Sequence, residues 1–443
     1  MINRIKDAVE KHSELILAAE RYIWKNPETG YREVKTTAYL KEKFEALGYE
    51  LTCPEDITGF YTTLDTGRDG PTLLILAELD SVICPGHPEC DPETGAVHSC
   101  GHNAQCAALL GVAAALKEDG ILEGLSGKIK LCAVPAEELL EIGYRTELRN
   151  KGVIKYLGGK SEFAHRGYFD DVDLAFMVHT SKAYTSLLGS VGCIAKTVIY
   201  KGKAAHAGGS PWRGVNALYA ASQGLSAVNA IRETFRDQDC IRFHPIITSG
   251  GAMVNAIPET ATIETYVRGM SFDAITEVNK RINRALTGAA LSLGANVEIL
   301  DLPGYAPLKN SRAMLEVAKD AYEELFPGET FHISESYSTG STDMGDLSSF
   351  MPVIHPYSRG GEGTSHGADY YIVDPVAACV DCAKWQLAIM RHLLRDGAAL
   401  AKKIISEYEA PFASVKEFLA YQDSIISSGD RIVYSDNKAE VVL

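Results

Sequence analysis

Three short runs, residues 73–79, 129–134 and 174–178, are apolar almost without a break, and helical patterns separate them. Successive side chains of a strand point to opposite faces, so a continuously apolar strand must be covered on both sides. Strands of this kind alternating with helices predict an α/β fold, a mostly parallel sheet covered by helices. The chain has 443 residues, more than one hydrophobic core readily accommodates, so two domains are expected.

Two helical patterns open the chain, separated by the stop-and-turn signal Asn26-Pro27-Glu28-Thr29-Gly30. Residues 103–116 form a small-residue helix rich in Ala, which implies close packing. Near Gly189 the character changes. Residues 191–201 and 261–267 alternate as half-exposed strands do, helical stretches 215–233 and 272–290 lie among them, and a strand at 297–300 closes the insert. The βα pattern returns from Ser311. A discontinuous catalytic domain, 1–188 plus 304–443, is therefore expected around a smaller α+β domain at 189–303. The tail from Pro411 reads as a short amphipathic helix and a polar end, with no role assigned. Cys379 and Cys382 lie one turn apart in a helical run and read as core residues.

The formal net charge is −15, and no stretch concentrates Lys and Arg. Nucleic acid and anionic membranes are thereby poor partners. No apolar run is long enough to cross a bilayer, and the N-terminal stretch lacks the apolar core of a signal peptide. The ten cysteines are scattered, which reads as reduced thiols in a cytoplasmic setting.

The chemistry-bearing residues cluster in four places. Cys100 and His102 flank a glycine at the mouth of the Ala-rich helix, and thiolate with imidazole suits a metal ion. Glu137-Glu138 follows the strand at 129–134, where open α/β sheets place their ligands. One carboxylate there can bind metal while its neighbour serves as a base. His179 ends the strand at 174–178, and His366 lies in a late Gly-rich loop. Each alone reads more simply as a structural residue. Together they supply donors for two divalent ions and a spare carboxylate.

In this arrangement the sequence resembles the peptidase M20 family, the aminoacylase and carboxypeptidase type of di-metal amidohydrolase. The resemblance is to its p-aminobenzoyl-glutamate hydrolase, indole-acetyl-amino-acid hydrolase and β-alanyl dipeptidase branch. It rests on the Cys100-Gly-His-Asn103 run after Ala77-Glu-Leu-Asp80, on Pro135-Ala-Glu-Glu138 and on Val178-His179. It rests also on Lys201-Gly-Lys-Ala-Ala-His206, on Gly250-Gly-Ala-Met-Val-Asn255 with Arg268 following, and on Gly340-Ser-Thr-Asp343. The family implies a zinc-exopeptidase-like catalytic domain and a lid and dimerisation domain, with hinges near Leu188-Gly189 and Pro303-Gly304.

Carried over residue by residue, Cys100, His102, Glu138, His179 and His366 would hold two divalent ions, of Zn, Mn, Co or Ni, with Cys100 shared. Glu137 would be the general base and Asp80 would orient His102. His206 would reach the neighbouring site of a homodimer and stabilise the oxyanion. Asn255, Arg268, Gly340 and Ser341 would bind substrate, Arg268 through a bidentate hold on a carboxylate. The implied reaction is hydrolysis of the amide of a small N-acyl amino acid, dipeptide or aryl-glutamate. An aminopeptidase reading a free amine, and a metal-binding scaffold without turnover, are the alternatives. The span from Glu138 to His179 is longer than in typical relatives, and Arg145 within it is expected to be an extra carboxylate binder.

Overall fold

Five strands pair in the order Phe60–Asp65, Lys128–Val134, Thr72–Glu78, Leu174–Phe176, Val353–Ile354. All neighbours are parallel except the edge strand Phe60–Asp65, which runs antiparallel to Lys128–Val134. The double-sided burial expected of this sheet is met residue by residue. Leu73, Ile75 and Ala77 join Ile129 and Leu131 in one core, whereas Leu74 and Leu76 join Cys132 and Val134 in another. Each Leu or Ile so buried contributes roughly 1.5–3 kcal/mol.

Helices Ser13–Trp24, His102–Leu116 and Cys382–Leu394 contribute Ile16, Leu109 and Trp385 to the first core. Helix Gly159–His165 contributes Phe163 to the second. The Ala-rich helix is buried along its whole length. A Cβ on its Gly111 would lie 2.6 Å from Ile16 Cδ1, so small residues are what let this helix press against its neighbours. Cys379 and Cys382 are both buried and free.

The computed structural model describes residues 2–436 and 438–442. The chain divides into two units. The first comprises Met1–Gly189, Leu308–Ser338 and Thr342–Val415, and the second Ser190–Pro307, Thr339–Ser341 and Lys416–Leu443. The second unit has an antiparallel sheet in the order Arg242–Phe243, Thr260–Gly269, Gly192–Lys201, Asn296–Pro303, with Ile246–Ser249 also paired to Thr260–Gly269. Helices Ala217–Ile231 and Phe272–Ser292 share its core.

The tail departs from the expected bounds, which assign all of 304–443 to the catalytic domain. Ile432 is 1% exposed inside the core of the second unit, and Tyr434 donates its hydroxyl to the Ala295 carbonyl at 2.8 Å. The polar end hides this role because a few apolar side chains, Phe418 and Ile432 among them, and main-chain pairing of Ser427 with Asp301 and of Asp430 with Glu298 dock the segment.

Candidate metal centre and active site

The parallel strands of the first unit deliver their C-terminal ends to one edge of the sheet. Glu78 ends one strand, with Asp80 two residues on. Pro135-Ala-Glu137-Glu138 follows the second, His179 the third and His355 the fourth. The turn before the Ala-rich helix adds Cys100 and His102, with Gly101 at φ 94° as the helix N-cap, a conformation glycine adopts without strain.

Two sets of three donors form there, Cys100 with His102 and His179, and Cys100 with Glu138 and His366. Within each set the donor atoms lie within 4.8 Å of one another. Cys100 Sγ is 3.4 Å from His179 Nε2, and His366 Nε2 is 3.0 Å from Glu138 Oε1. A third set, Glu78, His102 and Glu137, adjoins them.

The imidazoles are already turned for metal. Nδ1 of His102 lies 2.9 Å from the Asp80 carbonyl and 3.3 Å from Asp80 Oδ1. Nδ1 of His179 lies 2.9 Å from the Thr180 carbonyl. Each contact places the proton on Nδ1 and leaves the Nε2 lone pair facing the cluster. Nε2 of His102 is buried with no well-aligned hydrogen bond, although Glu78 Oε2 lies 3.2 Å away, as a nitrogen reserved for a cation would be. Asp80 also accepts the Glu138 amide at 2.8 Å. Burial works against a thiolate at Cys100, but the His179 and His102 imidazoles outweigh it and hold the thiol well below its ordinary range. One thiolate, three imidazoles and a carboxylate suit Zn²⁺, Co²⁺ or Ni²⁺, and admit Mn²⁺.

Glu137 Oε2 lies 4.0 Å from His102 Nε2. Burial, and then the neighbouring Glu78 and Glu138 carboxylates, push its carboxyl well above the usual range. A buried carboxylate of this kind accepts a proton readily. His98 is wholly buried beside the cluster, and burial followed by His102 pushes it down to about 3. It is therefore neutral.

Three participants carry no sequence assignment. Lys160 is fully buried, 2.6 Å from Glu78 Oε1, and ion-paired with Asp343. Glu78 Oε2 lies 3.2 Å from His102 Nε2. Burial alone would raise Glu78, yet Lys160 and His102 bring it to about 2. Burial carries Asp343 to about 6 despite the same ammonium. Glu78 could have been found, because residues two apart on an extended chain share a face with Asp80. Lys160 is harder to find. Its helix starts at Gly159, where a Cβ would lie 1.7 Å from the Pro135 carbonyl oxygen.

Arg145, expected as an extra carboxylate binder, turns instead to main-chain carbonyls. It is 1% exposed and donates to the carbonyls of Ala136 (3.3 Å), Leu157 (2.8 Å) and Glu138.

The remaining expected site residues belong to the second unit. Arg268 Nη1 donates to Ser341 Oγ at 2.9 Å, so Arg268 is brought beside the Gly340-Ser341 segment. The Ala207 amide donates to the Asn255 carbonyl at 3.0 Å, which sets Asn255 beside His206. The amides of Gly208 and Gly209 donate to His206 Nδ1 at 3.2 and 2.8 Å. His206 thus carries its proton on Nε2 when neutral.

Known proteins resemble this chain. A mouse Xaa-Arg dipeptidase is 29% identical over 384 residues, covering 83% of this chain and 82% of its own. An indole-3-acetyl-aspartic acid hydrolase of Enterobacter agglomerans is 30% identical over 329 residues, 61% of this chain and 70% of that one. Among solved structures, a Bacillus subtilis dinuclear metal binding peptidase of family M20 superposes with a TM-score of 0.65. It is 20% identical and covers 87% of this chain and 99% of its own. The sequence profile of peptidase family M20/M25/M40 matches residues 74–392. The chain belongs to that family, whose members are metallo-hydrolases of amide and peptide bonds.

Proposed function

We propose that this protein hydrolyses the amide bond of a small carboxylate-bearing substrate, a dipeptide, N-acyl amino acid or aryl-glutamate, with two divalent ions per chain. The observation that carries the reading is the pair of donor sets meeting at Cys100 with Glu137 beside them. When bound, the ions would polarise the scissile carbonyl and acidify a water molecule. Glu137 takes one proton of the attacking water on its carboxylate while the oxygen adds to the carbonyl carbon. It then delivers that proton to the leaving nitrogen, because an amine leaves poorly unless protonated. Asp80 and the Thr180 carbonyl keep the two imidazoles in register through their Nδ1 protons.

From the family resemblance, Arg268, Asn255, Gly340 and Ser341 serve the substrate, the guanidinium holding its carboxylate. His206 offers its Nε2 proton to the developing oxyanion of a partner chain's substrate. A homodimer through the second unit is supported by the exposure there of Trp212, Tyr219, Met253 and Val254, and by a strand, Ile246–Ser249, exposed along its length. Ten free cysteines favour a reducing, cytoplasmic setting. Among the described residues no helix is long and apolar enough to cross a membrane.

The test is elemental analysis of wild type and Glu137→Ala, each reconstituted with Zn²⁺, Mn²⁺ or Co²⁺. Both are then assayed on dipeptides including Xaa-Arg, N-acyl amino acids, aryl-glutamates, and amino-acid amides that have a free amine and no carboxylate. About two ions per chain in both proteins, with turnover only in wild type, is the expected result. Turnover confined to substrates with a free amine and no carboxylate would favour an aminopeptidase. Bound metal with no turnover on any substrate would favour a scaffold.

A further inference from the structure

Glu137 and Glu138 are adjacent in the chain yet serve different donor sets, Glu137 toward His102 and Glu138 toward His366. The turn before them bends unusually. Ala136 has φ 58°, in the left-handed region that non-glycine residues seldom occupy. Such a conformation persists only where its surroundings hold it.

Two buried side chains do so, one at an amide and one at carbonyls. Glu33, fully buried, accepts the Ala136 amide on Oε1 at 2.8 Å, and its Oε2 is anchored by the Thr58 hydroxyl at 2.5 Å. Arg145 takes the carbonyls of Ala136 and Glu138, which lie on either side of Glu137. Arg145 is in turn seated by the turn at Gly30-Tyr31. Its guanidinium lies 5.6 Å from the centre of the Tyr31 ring. A Cβ on Gly30 would lie 2.3 Å from Arg145 Nη2 and 2.9 Å from Ala136 Cα.

We propose that Arg145, together with Glu33, is a positioning residue that holds the Ala136–Glu138 elbow and so aims the Glu137 and Glu138 carboxylates at their separate partners. This deepens the hydrolase reading and rests on it for the turnover effect, while the effect on ion affinity does not. The helix Ile142–Asn150, in the long span between Glu138 and His179, thereby carries this guanidinium to the main chain of the site. A guanidinium offers several donors in one plane, so it can hold two carbonyls of one turn where an ammonium, a point charge, cannot fix the same plane.

The experiment compares Arg145→Ala, Arg145→Lys and Gly30→Ala with wild type. Gly30→Ala leaves the arginine present but crowds it. Zn²⁺ affinity is measured by competition with a chromophoric chelator, and kcat and KM on the best substrate of the panel. Expected is a second Zn²⁺ bound about 10–100-fold more weakly with the first little changed, and kcat at saturating Zn²⁺ reduced about 10–100-fold at a KM within about threefold. Free guanidinium should restore at least part of both losses in Arg145→Ala and none in Gly30→Ala. A purely structural role would lower thermal stability without this split between the ions or between kcat and KM. Wild-type affinity for both ions and wild-type kcat in folded Arg145→Ala would overturn the proposal. So would equal weakening of both ions without guanidinium rescue. If wild type binds two ions but hydrolyses nothing, the hydrolase reading fails, and the affinity arm still decides the role of Arg145.

Discussion

Lys160→Met removes the only ammonium that reaches Glu78 and Asp343 among the described residues, and it does so at 0% exposure. Two carboxylates are then left without their cation in a site closed to water. Breaking a buried ion pair from one side costs about 3–5 kcal/mol, and burial this complete leaves no solvent screening to soften it. For a unit of this size that corresponds to a fall in Tm of about 5–8 °C. The assay is thermal unfolding of chelator-treated wild type and variant, followed by circular dichroism at pH 7. Adding Glu78→Gln removes one of the stranded charges and should recover about 1–3 kcal/mol. The pH dependence has a definite sign. Glu78 sits at about 2 against an ordinary 4.5, so its ionised form contributes stability that is complete above pH 4.5 and lost as pH falls toward 2. Lys160→Met forfeits most of that contribution. The gap between the two melting curves should therefore be wide at neutral pH and shrink as pH falls, first as Asp343 protonates near 6 and further as Glu78 does below about pH 4.5. A Lys160→Met protein melting within about 2 °C of wild type at pH 7, or a double variant showing no recovery, would refute the reasoning.

Four further variants have expected outcomes. Cys100→Ala should lower bound Zn²⁺ below one ion per chain by elemental analysis, because both donor sets contain Cys100. His366→Ala should retain about one. Asp80→Ala frees the Glu138 amide and loosens His102, and metal affinity in chelator competition should fall about 10–100-fold. Ile432→Ala opens a cavity in the core of the second unit and should cost about 2–5 kcal/mol. Hydrogen exchange should speed up in Gly192–Lys201 and Asn296–Pro303 while the metal content of the first unit stays unchanged.

Much of this molecule was legible in one dimension. Continuous apolarity at 73–79 and 129–134 demanded strands covered on both faces, since side-chain alternation is a local property of extended chain. The change to alternating polarity after Gly189 marked a second, half-exposed sheet for the same reason. The residues that meet in the candidate donor sets were legible too, because metal chemistry restricts donors to few types and parallel strands must present their ends at one edge. What the sequence could not convey was the company each side chain keeps. Arg145 and Lys160 look alike as cations of one long segment, yet one is spent on main-chain carbonyls and the other on Glu78 and Asp343. Glu33 is separated from the turn it holds by about a hundred residues, as its bond to Ala136 attests. Periodicity and spacing report local conformation and the chemistry of types. Which buried charge meets which partner depends on where distant segments are brought together, and only the packed tertiary structure decides that.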